Sequence, residues 1–259
     1  MTRRNMLTAT IAGTAALSGA GETSKRAYFE LRCYYMRNTK SDQVHRTTGF
    51  ITGAYIPAAR RAGIGPVGVF SSVIAPESPF LIVVSGYPSL GAMQDSLDKL
   101  AGDTAYQKAL DDFDSNPELP YIRVESTLLR CFPSVPSIEV GSGPDSRPAR
   151  TFELRTYESD TDTTLRRKIG MFGEGEVAIF RKNGLQPVFF GEALVGPKLP
   201  RLTYMVAYEN MAGREKAWSA FGADPDWQKL KVKPGYSDND IVANISNIIL
   251  KPVAGSDIR

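Results

Sequence analysis

Histidine is nearly missing from this chain. His45 is the only one in 259 residues, and cysteine occurs twice, at Cys33 and Cys131. A zinc site needs further His or Cys neighbours at ligand spacing, which neither cysteine provides. No serine lies in the glycine pattern of a nucleophile elbow, so a Ser/His/Asp system has no sequence support either. Charge of one sign is also scarce: 31 Lys and Arg face 28 Asp and Glu, a formal net charge of +3 with no dense basic stripe. Nucleic acid and anionic lipid are thereby excluded as main partners. No apolar run is long enough to span a bilayer. What remains is an ordinary globular balance, 42% hydrophobic and 23% charged, which supports a sizeable core and excludes disorder and collagen-like structure.

The first twenty residues read as an address label. Thr2-Arg3-Arg4-Asn5-Met6-Leu7 is a twin-arginine start, Ala9 to Leu17 is a short apolar run, and Ser18-Gly19-Ala20 is a small-residue cleavage site. Residues 1–20 are therefore expected to be a twin-arginine-type signal peptide, with a periplasmic or otherwise exported mature protein beginning near Gly21 and no membrane partner after its removal. Loss of Arg3 and Arg4 leaves 29 basic against 28 acidic residues, a net charge of about +1.

The chain says the same thing twice. Phe29-Glu30-Leu31-Arg32-Cys33-Tyr34 returns as Phe152-Glu153-Leu154-Arg155-Thr156-Tyr157, an offset of 123 positions. Asp103-Thr104-Ala105-Tyr106-Gln107-Lys108 returns as Asp224-Pro225-Asp226-Trp227-Gln228-Lys229, an offset of 121, and Arg60/Arg181, Gly63/Gly184, Pro66-Val67/Pro187-Val188 and Tyr87/Tyr208 fall into the same register. Solenoid and propeller units repeat every ~20 to 50 residues, so this spacing marks a duplicated domain.

Each copy reads as strand, helix, strand, strand, helix, strand. In the first, Tyr28 to Met36 alternates, Asp42 to Ala62 has helical spacing stopped by Gly63, Gly65 to Ile74 and Phe80 to Tyr87 are strands, Ser89 caps a helix to about Leu100, a short helix spans Ala105 to Asp111, and Tyr121 to Arg130 closes the copy. The second follows as Arg150 to Glu158, Thr163 to Lys182, Gln186 to Leu194, Leu202 to Tyr208, Met211 to Phe221 capped by Asn210, a short helix at Trp227, and Ile241 to Leu250. The organisation predicted is a first ferredoxin-like repeat over 27–132, a Pro- and Gly-rich linker over 133–149 and a second repeat over 150–253.

The fold class expected is α+β: two tandem ferredoxin-like (βαββαβ) repeats whose sheets face one another and close into a barrel-like core, helices outside. Alternation sends Phe29, Leu31 and Cys33 to one face; if they face the helices, then Glu30, Arg32 and Tyr34 meet Glu153, Arg155 and Tyr157 between the sheets. Export permits a disulfide, but if the first and last strands of the first copy pair near Arg32 and Ser126, Cys33 lies opposite Glu125 and Cys131 opposite Ala27. That separation, on the order of 20 Å at strand rise, predicts two unlinked thiols.

The second copy resembles the NIPSNAP family. The resemblance rests on Phe152 to Tyr157, Leu202 to Asn210, Arg214-Glu215-Lys216-Ala217-Trp218-Ser219-Ala220-Phe221 and Asp224-Pro225-Asp226-Trp227, kept together in spacing. The first copy is degenerate, with Leu97 where Trp218 stands, Tyr106 for Trp227 and Met93-Gln94 for Arg214-Glu215. The resemblance implies the dimeric α/β barrel superfamily, whose wider members include cofactor-free oxygenases, small isomerases and haem enzymes, and it implies no family-wide reaction. In the resembling haem barrels the axial histidine belongs to the second repeat, where this chain has none, so no cofactor and no metal is expected.

The sharpest chemical feature is the doubled Glu-x-Arg-x-Tyr. Buried charge must be paired, so one reading has Glu30, Arg32, Glu153 and Arg155 pairing to hold the sheets in register. The other has them line a cavity, Arg32 and Arg155 binding an anionic or enolic ligand, with Tyr34 and Tyr157 orienting it and His45 shuttling a proton; His45 is otherwise a surface or helix-start residue. Glu174 and Glu176 lie on different faces of one helix and form no carboxylate pair. Trp218, Phe221 and Trp227 suit packing beneath the helices, and Gly170, Gly173 and Gly175 lack phosphate-loop spacing. Three functions stay open: a small-molecule binder, a cofactor-independent oxygenase or isomerase acting on an enolisable compound, and a noncatalytic interaction module that forms a homo-oligomer.

Overall fold

The computed structural model describes residues 25–38, 40, 42–141 and 149–259. The expected signal peptide, 1–20, and residues 142–148 of the expected linker lie outside the described residues. Eight strands close into one antiparallel barrel in the order β1-β3-β2-β8-β5-β7-β6-β4. They are β1 (Tyr28–Tyr35), β2 (Val67–Ile74), β3 (Phe80–Tyr87), β4 (Arg123–Cys131), β5 (Thr151–Glu158), β6 (Gln186–Val195), β7 (Arg201–Tyr208) and β8 (Asn244–Pro252). The helices lie outside: α1 (Gln43–Phe50), α2 (Ile56–Ala62), α3 (Leu90–Gly102), α4 (Thr104–Asp114), α5 (Asp162–Met171), α6 (Val177–Lys182), α7 (Met211–Ala223), α8 (Pro225–Leu230) and α9 (Asp238–Ile241).

Local chemistry sets the helix limits as the sequence predicts. Ser89 Oγ accepts from Ala92 N at 3.0 Å and Asn210 Oδ1 from Gly213 N at 2.9 Å, satisfying donors that a helix start leaves free. Gly63 ends α2 at φ 85°, a left-handed conformation costly for residues with a Cβ. Each long helix expected over Asp42–Ala62 and Thr163–Lys182 is interrupted by a π-helical turn, Ile51–Tyr55 and Phe172–Glu176, at the same offset of 121.

The two halves share one register. Cys33 pairs with Ile82 and Glu125, and Thr156 with Thr203 and Ser246. The halves join through β2–β8 and β4–β6, so both seams of the barrel lie within this chain. Arg32 does pair with Ser126 and Cys33 with Glu125, and Cys131 N donates to Ala27 O at 2.9 Å. Both thiols are free and buried, as the register argument requires.

Each half also ends on a segment that runs along the other. Val253 N donates to Val69 O and Asp257 N to Val67 O, both at 2.9 Å, while Glu139 N donates to Val188 O at 2.7 Å. Arg60 holds Asp257 at 2.5 Å, and Arg181 holds Glu139 at 3.0 and 2.5 Å. The repeated arginine pair thus clasps the tails reciprocally.

The face assignment is opposite to the one expected. Phe29, Leu31 and Cys33 point into the barrel with Phe70, Phe152, Phe189 and Met205, whereas Glu30, Arg32, Tyr34, Glu153, Arg155 and Tyr157 lie under the helices. Inside a closed barrel only strand side chains can meet, so the most apolar alternate set fills it. Beneath the helices, side chains from a second layer supply partners for charge. Close contact across the barrel shows at Gly191, where a Cβ would stand 2.6 Å from the Phe29 ring. Two further clusters, one around Phe172, Phe180 and Tyr204 and one around Ile51, Val69 and Val83, pack each half's helices onto its sheet.

Candidate functional site

In the second half the Glu-x-Arg-x-Tyr motif forms a closed network. Glu153 is fully buried and accepts from Arg214 Nε and Nη2 at 2.8 and 2.9 Å, Arg155 Nη1 at 2.9 Å, Trp218 Nε1 at 2.9 Å, Asn247 Nδ2 at 3.0 Å and Tyr208 OH at 3.2 Å. Burial alone would raise its pKa; donation by Arg214, Asn247 and Trp218 and the charge of Arg155 outweigh it and hold the carboxyl at about 2. Arg155 also stacks over the Trp218 ring at 4.7 Å and donates to Tyr157 OH, 2.9 Å from Tyr204 OH. Sequence reasoning places Trp218 in packing only; its indole N–H is also a ligand of Glu153. Nearby, buried Lys168 lies 3.2 Å from Glu176 and 3.4 Å from Asp238. Burial opposes its charge, but the two carboxylates more than offset it and hold its pKa above the ordinary lysine value. Glu174, on the other face, pairs with Lys233 and Tyr236.

The first half keeps the motif without that shell. Glu30 accepts from Arg32 Nε at 2.7 Å and Ser126 Oγ at 2.6 Å, and Arg32 is 37% exposed. Tyr34 packs edge-on to Tyr121. His45 is exposed on the first turn of α1, its backbone N–H donating to Asp42 Oδ1 at 3.3 Å. The structure therefore joins Glu30 to Arg32 and Glu153 to Arg155 and Tyr157, but separates the two groups and leaves His45 at the surface.

The space between the sheets is not solid. A cavity of about 690 Å³ opens at the barrel end where the β2–β3 and β6–β7 hairpins turn, within the volume range of small-molecule sites. Its walls carry none of the seven residues singled out in the sequence. Leu31, Ile82, Leu129, Leu154 and Ile248 form an apolar floor, while Thr127, Thr156, Thr203, Ser246, Lys198 and Arg201 supply polar groups. Arg201 Nη2 donates to Thr127 Oγ1 at 2.7 Å, and Thr156 and Thr203 share a hydrogen bond of 3.1 Å. Gly196 makes room for this arrangement: its φ is +144° and a Cβ there would stand 2.8 Å from Thr127 Oγ1. Burial pulls the Arg201 pKa below its usual range, partly offset by Glu158 and Glu125. Cys33, on the same wall, is pushed up to about 12 by burial and stays a thiol.

The repeat register could have revealed these residues. Arg201 stands where the first half has Phe80, Thr203 where it has Ile82, and Thr156 where it has Cys33. At these three positions the second half presents hydroxyls and a guanidinium where the first presents two apolar side chains and a thiol; elsewhere both halves line the cavity with polar groups, Glu77, Glu125, Ser126 and Thr127 coming from the first. Among the described residues no cluster of His, Cys, Asp or Glu could hold a metal ion, and no helix is long and apolar enough to cross a membrane.

Residues 152–257 match the NIPSNAP family model. The matched stretch includes Arg214 and Trp218, which surround Glu153. Over the whole barrel the chain is similar to a candidate monooxygenase from Lactobacillus acidophilus NCFM, at 11% identity over 88% of this chain and 94% of that one, with a TM-score of 0.55. It is also similar to an anthrone oxidase-like protein, at 12% identity over 89% and 93%, TM-score 0.52. A NIPSNAP-like domain protein from Burkholderia xenovorans matches at 21% identity over 40% of this chain and 86% of that one, TM-score 0.36. The first two likenesses establish a shared barrel fold. No curated protein matches the sequence.

Proposed function

We propose that this protein binds a small organic molecule inside the barrel, against polar groups from both halves, Thr127 from the first and Thr156, Arg201 and Thr203 from the second. The observation that carries this reading is the cavity of about 690 Å³, in which an apolar floor meets a set of hydroxyl and charged groups. An interaction module would have that space filled, and a closed barrel offers no free sheet edge for pairing. A proton-transfer enzyme would need a base at the ligand. His45 is outside on α1, Tyr34 and Tyr157 lie beneath the helices, Cys33 is protonated, and the two lining carboxylates, Glu77 and Glu125, are engaged by Arg123, so binding is the reading the geometry favours over oxygenation or isomerisation.

The test is cavity filling. Ser246→Trp at the mouth and Ile248→Trp deeper in should each abolish ligand-induced thermal stabilisation found by screening small acids, phenols and alcohols. Stabilisation that survives both substitutions would place the ligand elsewhere and defeat the proposal.

We also read the halves, 27–132 and 150–253, as ferredoxin-like copies of one ancestral unit joined by the 133–149 linker; the repeated residues and common strand register support this. Export remains a reading of residues 1–20 alone. Arg3→Lys with Arg4→Lys should retain the protein in the cytoplasm on cell fractionation, and unchanged export would refute a twin-arginine route.

A further inference from the structure

Two cations, Lys198 and Arg201, line the cavity together with two carboxylates, Glu77 and Glu125, which Arg123 holds from outside the lining. Arg123 is held by Glu77 at 3.0 Å and Glu125 at 2.9 Å, and Lys198 lies 3.5 Å from Glu158. Arg201 forms no direct ion pair, although Glu158 and Glu125 lie close enough to favour its charge. Of its donors only Nη2 finds a protein acceptor, the Thr127 hydroxyl, while Nε is shut off from solvent with no partner. A half-buried guanidinium facing a cavity without a directly paired counterion is costly, and an anion entering the cavity would relieve that cost.

The neighbouring hydroxyls are set up to assist. Thr127 Oγ1 accepts from Arg201, so its own proton is left for a second acceptor. Thr156 and Thr203 spend one proton on each other, leaving one more. Leu31, Ile82, Leu129 and Leu154 supply an apolar wall, and the lining carboxylates Glu77 and Glu125 are already held by Arg123.

We infer that the ligand is a small amphipathic monocarboxylate, its carboxylate against Arg201 and Thr127 and its hydrocarbon body along Leu31, Ile82, Leu129 and Leu154. The inference rests on the reading of the cavity as a ligand site and adds the chemistry of the ligand. The guanidinium and the Thr203 hydroxyl come from the second half, where the first has Phe80 and Ile82, and Thr127 completes the pole from the first half. That asymmetry fixes one orientation for a ligand with one charged end.

The experiment is calorimetric titration of the purified protein with octanoate and benzoate against octanol and benzyl alcohol, in the wild type, Arg201→Gln, Arg201→Lys and Ile248→Trp. Octanoate should bind at least ~10-fold more tightly than octanol, as loss of a charge-assisted bond predicts. Arg201→Gln should erase this gap while leaving octanol affinity unchanged, Arg201→Lys should retain part of it, and Ile248→Trp should abolish binding of both. Equal affinities for octanoate and octanol, both lost in Ile248→Trp, overturn the carboxylate assignment and leave the cavity reading standing. Binding that persists in Ile248→Trp, or no binding of any of the four compounds up to ~10 mM, overturns both. The comparison of acid with alcohol in the wild type needs no variant to fold.

Discussion

Glu30 and Glu153 occupy the same position in the two halves and live in different surroundings. Glu153 receives six hydrogen bonds, three of them from two helix residues, Arg214 and Trp218. At the offset of 121 the first half has Met93 and Leu97, and Glu30 is left with Arg32 and Ser126. The same contrast recurs at the π turns. Lys168 and Glu176 form a buried ion pair, whereas at the equivalent positions Thr47 donates to Pro120 O at 2.7 Å and Tyr55 OH lies 2.7 Å from Ser85 Oγ. One backbone thus supports an ionic and a neutral solution to the same burial problem. Arg214 and Trp218, which carry the resemblance in the second half, serve that ionic solution.

The largest expected effect separates the two glutamates. Glu153→Gln leaves Arg155 and Arg214 without a buried counterion and should cost about 3 kcal/mol or more. Glu30→Gln faces a guanidinium that water already reaches and should cost about 1 kcal/mol. Urea denaturation of both variants checks this; equal losses would mean that the additional donors around Glu153 contribute nothing.

The pH dependence sharpens the same comparison. A carboxyl held at about 2 in the folded protein and near ~4.3 when unfolded stabilises fully above the unfolded value. That contribution, about 3 kcal/mol, fades as pH falls from ~4.3 through the folded value. The wild type should therefore lose its stability advantage over Glu153→Gln between pH 5 and pH 2 in urea titrations. An advantage independent of pH would show that Glu153 does not titrate as its donors require.

A graft asks whether the missing helix residues are the whole difference. Met93→Arg together with Leu97→Trp should rebuild donors around Glu30 and raise stability by about 1 kcal/mol, with either change alone neutral or unfavourable. A double variant less stable than both singles would show that α3 and α7 do not present these positions alike.

Much of this was legible in residue order. Ser89, Asn210 and Gly63 mark helix ends because each satisfies or permits a terminal backbone geometry that few residues can, and the register of Arg32 with Ser126 follows from the copies themselves. Period-two alternation in Phe29 to Tyr34 separates two faces, but it cannot say which is interior when both are covered. The apolar set went inside because a barrel core has no second layer to neutralise Glu30 or Glu153. The cavity is obscured for a related reason: the repeats mark out the residues they share, whereas its polar groups stand where the repeats differ, as Arg201 against Phe80. The π turns left no mark in the helical spacing of Asp42 to Ala62.

The smallest expected effect lies where the halves agree. Arg60 and Arg181 clasp Asp257 and Glu139 in equivalent places, yet both arginines are about half exposed, and solvent screens such pairs to ~0.2–1 kcal/mol. Arg60→Ala and Arg181→Ala should each lower stability by no more than that and by similar amounts, an effect diminished further by added salt because exposed charges are screened within a Debye length. Asp257 also accepts from Val67 N at 2.8 Å, so its tail keeps a backbone anchor when Arg60 is removed. Glu139 has its own backbone bond to Val188, which leaves the second tail equally anchored without Arg181. Denaturant midpoints for the two variants that differ by more than 1 kcal/mol would show that the clasp, like the glutamate shells, has been specialised in one half.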